Sequence, residues 1–158
     1  MRSRAGTFVV AALTAGTLFA APAAQASDKG LIKIVVRHEN RVEPLAKKWS
    51  AADKALATAT DTNAASAATG NFRSGLHKFK VALTPIKTQT GTAAAAKKQM
   101  LTAIREFDLG LVQYQKLLDK VNAGADKNSL KSTFVTLNKR IQAAADDEAA
   151  ALKLLKQL

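Results

Sequence analysis

Apolar residues recur every three or four positions along most of this chain, which is the spacing of one face of an α-helix. The first such stripe occupies residues 31–56, where its members are alternately four and three residues apart. Its members are Leu31, Val35, His38, Val42, Leu45, Trp49, Ala52 and Leu56. A helix with such a stripe is stable in water mainly when other helices cover the apolar face, so the pattern predicts one long helix within a bundle.

Three further stripes of the same kind follow, over residues 72–86, 93–121 and 130–155. The segments between them carry turn residues. Residues 57–70 are rich in Ala, Thr, Ser and Asn, residues 88–92 surround a glycine, and Gly124 follows the third stripe. No segment alternates with a period of two for long enough to predict a sheet. The pattern therefore predicts four helices, with residues 57–70 as a loop and a weak first turn of the second helix.

Short connections favour antiparallel neighbours, so we expect an all-α, up-down-up-down four-helix bundle. A three-helix bundle with an extended hairpin is the alternative. Pro44 and Pro85 fall within the first and second stripes, and a proline removes one helical hydrogen bond and crowds the preceding turn. We therefore expect the first two helices to be kinked or broken there, the first as a kink or as two helices meeting at Glu43.

Residues 1–26 have the features of a Sec-type signal peptide. Two arginines precede an apolar run over residues 8–21, and Ala24 and Ala26 provide the small side chains that a signal peptidase requires. The run is shorter than a membrane span. We expect cleavage after Ala26 and a single mature helical-bundle domain of residues 27–158. That domain is predicted to be soluble, secreted or extracytoplasmic, and without a transmembrane span.

The chain is strongly basic, with 24 Lys and Arg against 12 Asp and Glu and a formal net charge of +12. Loss of Arg2 and Arg4 with the signal peptide lowers this charge to +10. An exported protein with this charge meets anionic envelope polymers, lipid headgroups or acidic protein partners first. The candidate contact residues lie on the first helix, off its apolar stripe: Lys33, Arg37, Arg41, Lys47 and Lys48.

Specific nucleic-acid binding is not expected. No basic run exceeds two residues, and every aromatic residue after position 26 lies on an apolar stripe. The chain therefore has neither the basic arm nor the free aromatic rings that such binding uses.

His38 is the one polar member of the first stripe and raises the only question of site chemistry. Antiparallel pairing of the first and last helices would place Glu148 level with His38, where a carboxylate would favour the imidazolium form. One interpretation is a structural contact that fixes the register of the helices. Another is a metal or haem ligand, for which Met100 lies within about one helical turn of the same level.

An enzyme is not expected. The chain has no cysteine, which excludes thiolate catalysis and cysteine metal sites. Val35 and Ser74 stand three residues before the two histidines, where a di-iron bundle has glutamates, and Val42 stands where a zinc protease has its second histidine. The sequence shows no paired carboxylates on apolar faces, no nucleophile elbow and no phosphate loop. No metal or cofactor is predicted.

These observations predict an exported, non-enzymatic helical bundle that binds anionic envelope material or an acidic partner through its basic helix faces. The alternative is a carrier of a small ligand, metal or haem, centred on His38 with Met100 or Glu148 as additional ligands. Salt-dependent retention on an anionic polymer supports the first hypothesis, and loss of ligand on replacing His38 supports the second.

Overall fold

The computed structural model describes residues 25–56, 62–126 and 128–158, with side chains described from residue 28 onward. This part of the chain forms four helices and contains no strand. The helices are α1 (Gln25–Leu56), α2 (Asn63–Leu83), α3 (Gly91–Asn122) and α4 (Lys131–Leu155). The four-helix prediction is confirmed. Residues 1–24 of the predicted signal peptide lie outside the described residues.

Contacts near the helix ends and along α3 and α4 give the up-down-up-down order. At one end of the bundle, Asp28 of α1 meets Thr90 at the start of α3, and at the other end Thr62 before α2 meets Asn122 at the end of α3. The α3–α4 pair is also antiparallel, because Tyr114 packs against Phe134 while Glu106, earlier in α3, pairs with Arg140, later in α4. Each helix packs chiefly on its neighbour in sequence.

An aromatic cluster to which all four helices contribute lies inside the bundle. Trp49 of α1 packs against Phe72 of α2 at 6.1 Å and edge-on against Tyr114 of α3 at 5.3 Å between ring centroids. Tyr114 also meets Phe134 of α4 at 6.0 Å. These rings come from the predicted stripes, and offset or edge-on packing at such distances adds to the free energy gained by burying their surface.

The two prolines occupy different positions relative to the helices. α1 continues through Pro44, so the alternative of two helices meeting at Glu43 is wrong. Pro44 has no N–H to donate to the carbonyl of Asn40, four residues earlier. Both residues are exposed, so water can replace the missing donor. α2 ends at Leu83, before Pro85. Thr84, between the two, still has helical φ and ψ, and its N–H donates to the Lys80 carbonyl; Pro85 has no N–H with which to continue the helix.

The start of α2 differs from the prediction. The helix begins at Asn63, so most of the segment predicted as a loop is helical, while residues 57–61 lie outside the described residues. The buried face of this part consists of Ala65 and Thr69, whose hydroxyl donates to the Ala65 carbonyl at 2.7 Å. Small side chains leave a weak hydrophobic pattern, although alanine favours the helix strongly. Because the prediction relied on large apolar residues, it placed the start of α2 later in the chain than the structure does.

Two chain reversals follow the predicted positions. Residues 86–90 form the connection before α3. The side chain of Asp28, which is 2% exposed, holds this connection. Its carboxylate accepts hydrogen bonds from Gln89 N, Thr90 N and Thr90 Oγ1 at 3.0, 3.3 and 2.8 Å. Thr90 Oγ1 in turn accepts from Ala93 N and caps α3. After α3, Gly124 has φ +90°, the left-handed conformation that glycine adopts without a steric penalty.

Candidate anion-binding surface and a buried carboxyl pair

The distribution of acidic residues along the chain is uneven. Residues 62–105 include seven basic residues and no acidic residue. This segment supplies all of α2 and the first half of α3. Because α2 and α3 are antiparallel neighbours, the uncompensated positive charges of the C-terminal half of α2 and the N-terminal half of α3 lie beside one another.

Two adjoining hollows run along the boundary between α2 and α3. The first, of about 430 Å³, is lined by Lys80, Thr88, Ala94, Lys97, Lys98, Leu101, Thr102 and Arg105. The second, of about 360 Å³, is lined by Arg73, Ser74, Leu76, His77, Lys80, Ile104, Arg105, Asp108 and Leu109. Lys80 and Arg105 border both hollows, so we treat them together as the α2–α3 groove.

The cations of the α2–α3 groove differ in how they are engaged. Lys97 Nζ donates to the carbonyl oxygens of Thr84 and Ile86 at 2.7 and 2.6 Å, and so holds the end of α2 against α3. Lys80 and Lys98 are exposed and form no ion pair within the described part of the chain. Their charges are therefore available to a ligand.

The other end of the α2–α3 groove is partly neutralised. Arg73 Nε meets Asp108 Oδ1 at 2.8 Å, and Arg105 meets Glu106 at 3.1 Å. All four side chains retain substantial exposure, so these ion pairs contribute little to stability. The positive potential is consequently strongest near Lys80, Lys97 and Lys98.

The five predicted contact residues on α1 are all exposed. Lys33, Arg37, Arg41 and Lys48 follow one helical stripe, whereas Lys47 pairs with Glu43 at 2.6 Å. A third hollow, of about 400 Å³ between α1 and α2, contains only one of the five, Arg41. Its lining residues are His38, Arg41, Leu45, Asn71, Ser74, Gly75 and Lys78.

The α1–α2 hollow, which contains Arg41, is a neighbour of the α2–α3 groove. Ser74 borders both the α1–α2 hollow and the α2–α3 groove, so the outer face of α2 separates the two. The sequence analysis did not include Lys80, Lys98 or Arg105 among the candidate contacts. The 44-residue gap in acidic residues was the signal that would have found them.

His38 is 8% exposed and stacks on Phe79 of α2, with ring centroids 5.2 Å apart and planes inclined by 6°. Burial, followed by the positive charges of Arg41 and Arg37, lowers the pKa of His38. The expectation that Glu148 would favour the imidazolium is wrong. The groups that act on the imidazole are cationic, and each of them opposes its protonation.

Glu148 instead meets Glu39, the residue next to His38. The predicted position of Glu148 along α1 therefore differs from the observed one by a single residue. The observed pair, however, consists of two carboxyl groups. Burial, the neighbouring Glu148 carboxylate and Glu43 raise the pKa of Glu39 to about 9. Burial also raises the pKa of Glu148, a rise that its hydrogen bond with Glu39 partly opposes. Burial of the two groups and their proximity both disfavour a doubly ionised pair.

Met100, the third residue of the carrier hypothesis, is 1% exposed and belongs to the hydrophobic core on α3. His38 packs on Phe79, and Glu148 packs on Glu39. The three candidate ligands therefore have different neighbours. Among the described residues, no group of three or more His, Asp or Glu side chains is arranged to hold a metal ion.

No family model, no curated protein and no solved structure matches this chain. Within the described ranges, no helix has the length and apolar character needed to cross a membrane. The fold and the candidate site define a class of protein, a four-helix bundle with a basic groove on one face and a carboxyl pair buried between its first and last helices.

Proposed function

We propose that this protein is an exported, non-enzymatic helical bundle that binds anionic envelope material through the surface centred on the α2–α3 groove. The observation that carries the proposal is the acid-free segment, residues 62–105, because five of its seven cations line the α2–α3 groove. Folding brings the charges of two helices together there, whereas the sequence alone shows only a diffuse excess.

The shape of the groove favours a ligand with repeated negative charges. The groove is open and extends along two helices, and its cations come from separate turns. A single exposed ion pair contributes about 0.2–1 kcal/mol, so useful affinity requires several simultaneous contacts. An anionic polymer or a surface of anionic headgroups provides these contacts, and the binding should weaken as salt screens the charges.

Charge removal at matched positions tests the proposal. One variant carries Lys80→Gln, Lys98→Gln and Arg105→Gln in the groove. The control carries Lys131→Gln, Lys139→Gln and Lys153→Gln, three exposed residues of α4, which lines neither part of the groove. Both variants lose the same formal charge. The probes are polyphosphate, polyglutamate and phosphatidylcholine vesicles with and without phosphatidylglycerol, each at two or more salt concentrations.

The groove variant should bind at least one anionic probe about 10-fold or more weakly, as expected for the loss of three modest contacts, while the control retains most of the affinity. The probe that binds best identifies the chemistry and source of the anion. Equal losses in the two variants would show that net charge, and not the groove, determines binding. Binding that does not weaken as salt rises would refute the electrostatic mechanism.

A carrier of a small ligand, metal or haem at His38 is the second candidate, favoured by the α1–α2 hollow that His38 lines with Arg41 and Lys78. Its support is weaker, because Met100 and Glu148 lie in other surroundings. Metal analysis and a haem absorption titration of the wild type and His38→Phe, which keeps a ring against Phe79, test it. Identical binding by the two proteins would eliminate this candidate.

A further inference from the structure

We infer that Glu39 and Glu148 share one proton between α1 and α4, and that this proton makes the pair a pH-sensitive latch between the first and last helices. The basis is geometric. The two carboxyl groups meet across a boundary with few close backbone approaches, and no positive charge of the described part of the chain acts on them there.

The boundary between α1 and α4 is the lightly packed side of the bundle. α1 packs chiefly on α2, and α4 chiefly on α3, whereas α1 and α4 approach each other closely at few positions. A hydrogen bond between Glu39 and Glu148 is therefore one of the contacts that join these two helices directly.

The surroundings of the pair on its own helices are apolar or negative. One turn from Glu148 along α4 lie alanines and a leucine: Ala144, Ala145, Ala151 and Leu152. One turn from Glu39 along α1 lie Val35, Val36, Val42 and Glu43. Glu43 is the one charged residue among these neighbours, and its negative charge adds to the cost of a second one on the pair.

The cations on adjacent elements act elsewhere. Arg37 and Arg41 on α1 act on His38, and Arg41 lines the α1–α2 hollow. On α3, the Arg140–Glu106 pair and the close approach of Gly110 to Ile141 place the turn around Met100 and Ala103 near the level of Glu148. Lys97 and Lys98 of that region line the α2–α3 groove. Among the residues whose side chains the structure describes, no cation is therefore positioned to neutralise a doubly ionised pair.

One buried oxygen of the pair supports the shared proton. Glu39 Oε1 is buried, and no N–H or other standard donor of the described residues reaches it. Two ionised carboxylates would leave this acceptor without a donor and place two like charges side by side in an apolar setting. One shared proton supplies an O–H donor, removes one charge and forms a short, charge-assisted hydrogen bond.

The sign of the pH dependence follows from the proton count. A carboxyl group with a raised pKa holds its proton in the folded protein between pH 4.5, the ordinary value for glutamate, and about 9, while the unfolded chain has released it. The folded state is therefore favoured most at the acidic end of this range. Through the range, each pH unit multiplies the unfolding equilibrium constant by up to about 10 for one such proton.

Neutral isosteres test the shared proton. Unfolding in urea, followed by the fluorescence of the single, buried Trp49, is measured between pH 6 and 10 for the wild type, Glu39→Gln, Glu148→Gln and the double variant. Asp146→Asn is the matched control, because it removes an exposed carboxylate of α4, two residues from Glu148, that does not act on the pair. Lysines and the N-terminus titrate alike in all these proteins, so the differences report the pair.

The wild type and Asp146→Asn should lose stability together as the pH rises towards 10. Glu39→Gln and Glu148→Gln should lose part of that dependence, because the new amide donates to the remaining carboxylate, and the double variant should lose most of it. At pH 9.5 each Gln variant in the pair should be more stable than the wild type. A double variant with the wild-type pH dependence would overturn the shared proton.

The latch itself needs a structural readout, and a chain without cysteine allows one. Spin labels on Asn40→Cys and Ala149→Cys occupy exposed positions next to the two glutamates. Their distance distribution should widen between pH 7 and 9.5 in the wild-type background. It should stay unchanged in the Glu39→Gln, Glu148→Gln background. A distribution that does not change with pH in either background would overturn the latch. These measurements involve no anionic ligand, so their outcome is independent of the groove proposal.

Discussion

Replacing Tyr114 by phenylalanine removes one hydroxyl from the centre of the bundle and tests the polar link between α1 and α3. Tyr114 is 1% exposed, and its hydroxyl donates to Asp53 Oδ1 at 2.7 Å. The ring packs edge-on against Trp49 and Phe134 at 5.3 and 6.0 Å. Because these contacts do not involve the hydroxyl, the phenylalanine ring should keep its position, and the variant should lose the hydrogen bond alone.

The size of the loss follows from the acceptor. A hydrogen bond to a charged group contributes about 1.5–3 kcal/mol. Asp53 is only partly buried, so water replaces part of the lost interaction and we expect the lower end, about 1.5 kcal/mol. For a domain of this size, that loss lowers the melting temperature by about 5 °C.

A double-mutant cycle with Tyr114→Phe, Asp53→Ala and both together isolates the pair from other effects of each substitution. Urea unfolding followed through Trp49 fluorescence supplies the four stabilities. Thr136→Val, which removes an exposed hydroxyl bonded only to the Ser132 carbonyl of its own helix, is the control for hydroxyl loss in general. A coupling energy below about 0.5 kcal/mol would show that the hydrogen bond does not stabilise the fold and would refute the reasoning.

The same contact has a spectroscopic signature, because Tyr114 is the only tyrosine in the chain. Burial and the adjacent Asp53 carboxylate raise the pKa of the Tyr114 hydroxyl. The folded protein should therefore show no tyrosinate absorbance as the pH passes 10.0, the ordinary value. The stabilising contribution of the neutral phenol is complete below that pH and declines above it. Tyrosinate absorbance near pH 10 with native Trp49 fluorescence would contradict the structure.

Two further predictions concern His38 and Gly124. In an NMR titration, His38 should have a pKa below 6.5, its ordinary value. Because the unfolded chain then binds the proton first, the stability linked to His38 declines as the pH falls below 6.5. A pKa at or above 6.5 would contradict the positions of Arg37 and Arg41. Gly124→Ala should destabilise the fold by about 1 kcal/mol, since an L-residue resists the φ of +90°. Gly70→Ala, at an open position inside α2, should instead stabilise it by about 0.5–1 kcal/mol, and equal effects in urea unfolding would refute the assignment of the Gly124 conformation.

The fold was accessible from the sequence wherever burial involves large side chains. The 3–4 spacing of residues such as Val35, Phe79 and Leu111 is local information, and all three are buried as that spacing predicts. The same method failed at the start of α2, where Ala65 and Thr69 form the buried face. Such positions are decided by how closely two helices approach, which a one-dimensional pattern does not contain.

The candidate site was less accessible, because it depends on how the helices are rotated and aligned. Counting along antiparallel helices placed Glu148 at the correct turn of α1, but a difference of one residue changes its partner from His38 to Glu39. That difference reverses the electrostatics, from a pair of opposite charges to two carboxyl groups that share a proton. Sequence spacing resolves a helical turn and does not resolve single residues on opposite helices.

The burial and protonation of acidic residues affect the charge near the α2–α3 groove. Folding neutralises one negative charge near the basic surface, because Glu39 and Glu148 are held together with one proton between them. The Asp28 carboxylate, at the start of α3, is buried and engaged by three hydrogen bonds. At neutral pH the end of the bundle that carries Lys80 and Lys98 is therefore more positive than a count of its residues suggests. Loss of the shared proton adds a negative charge and loosens α1 from α4, so both consequences of alkaline pH act against the binding of an anion.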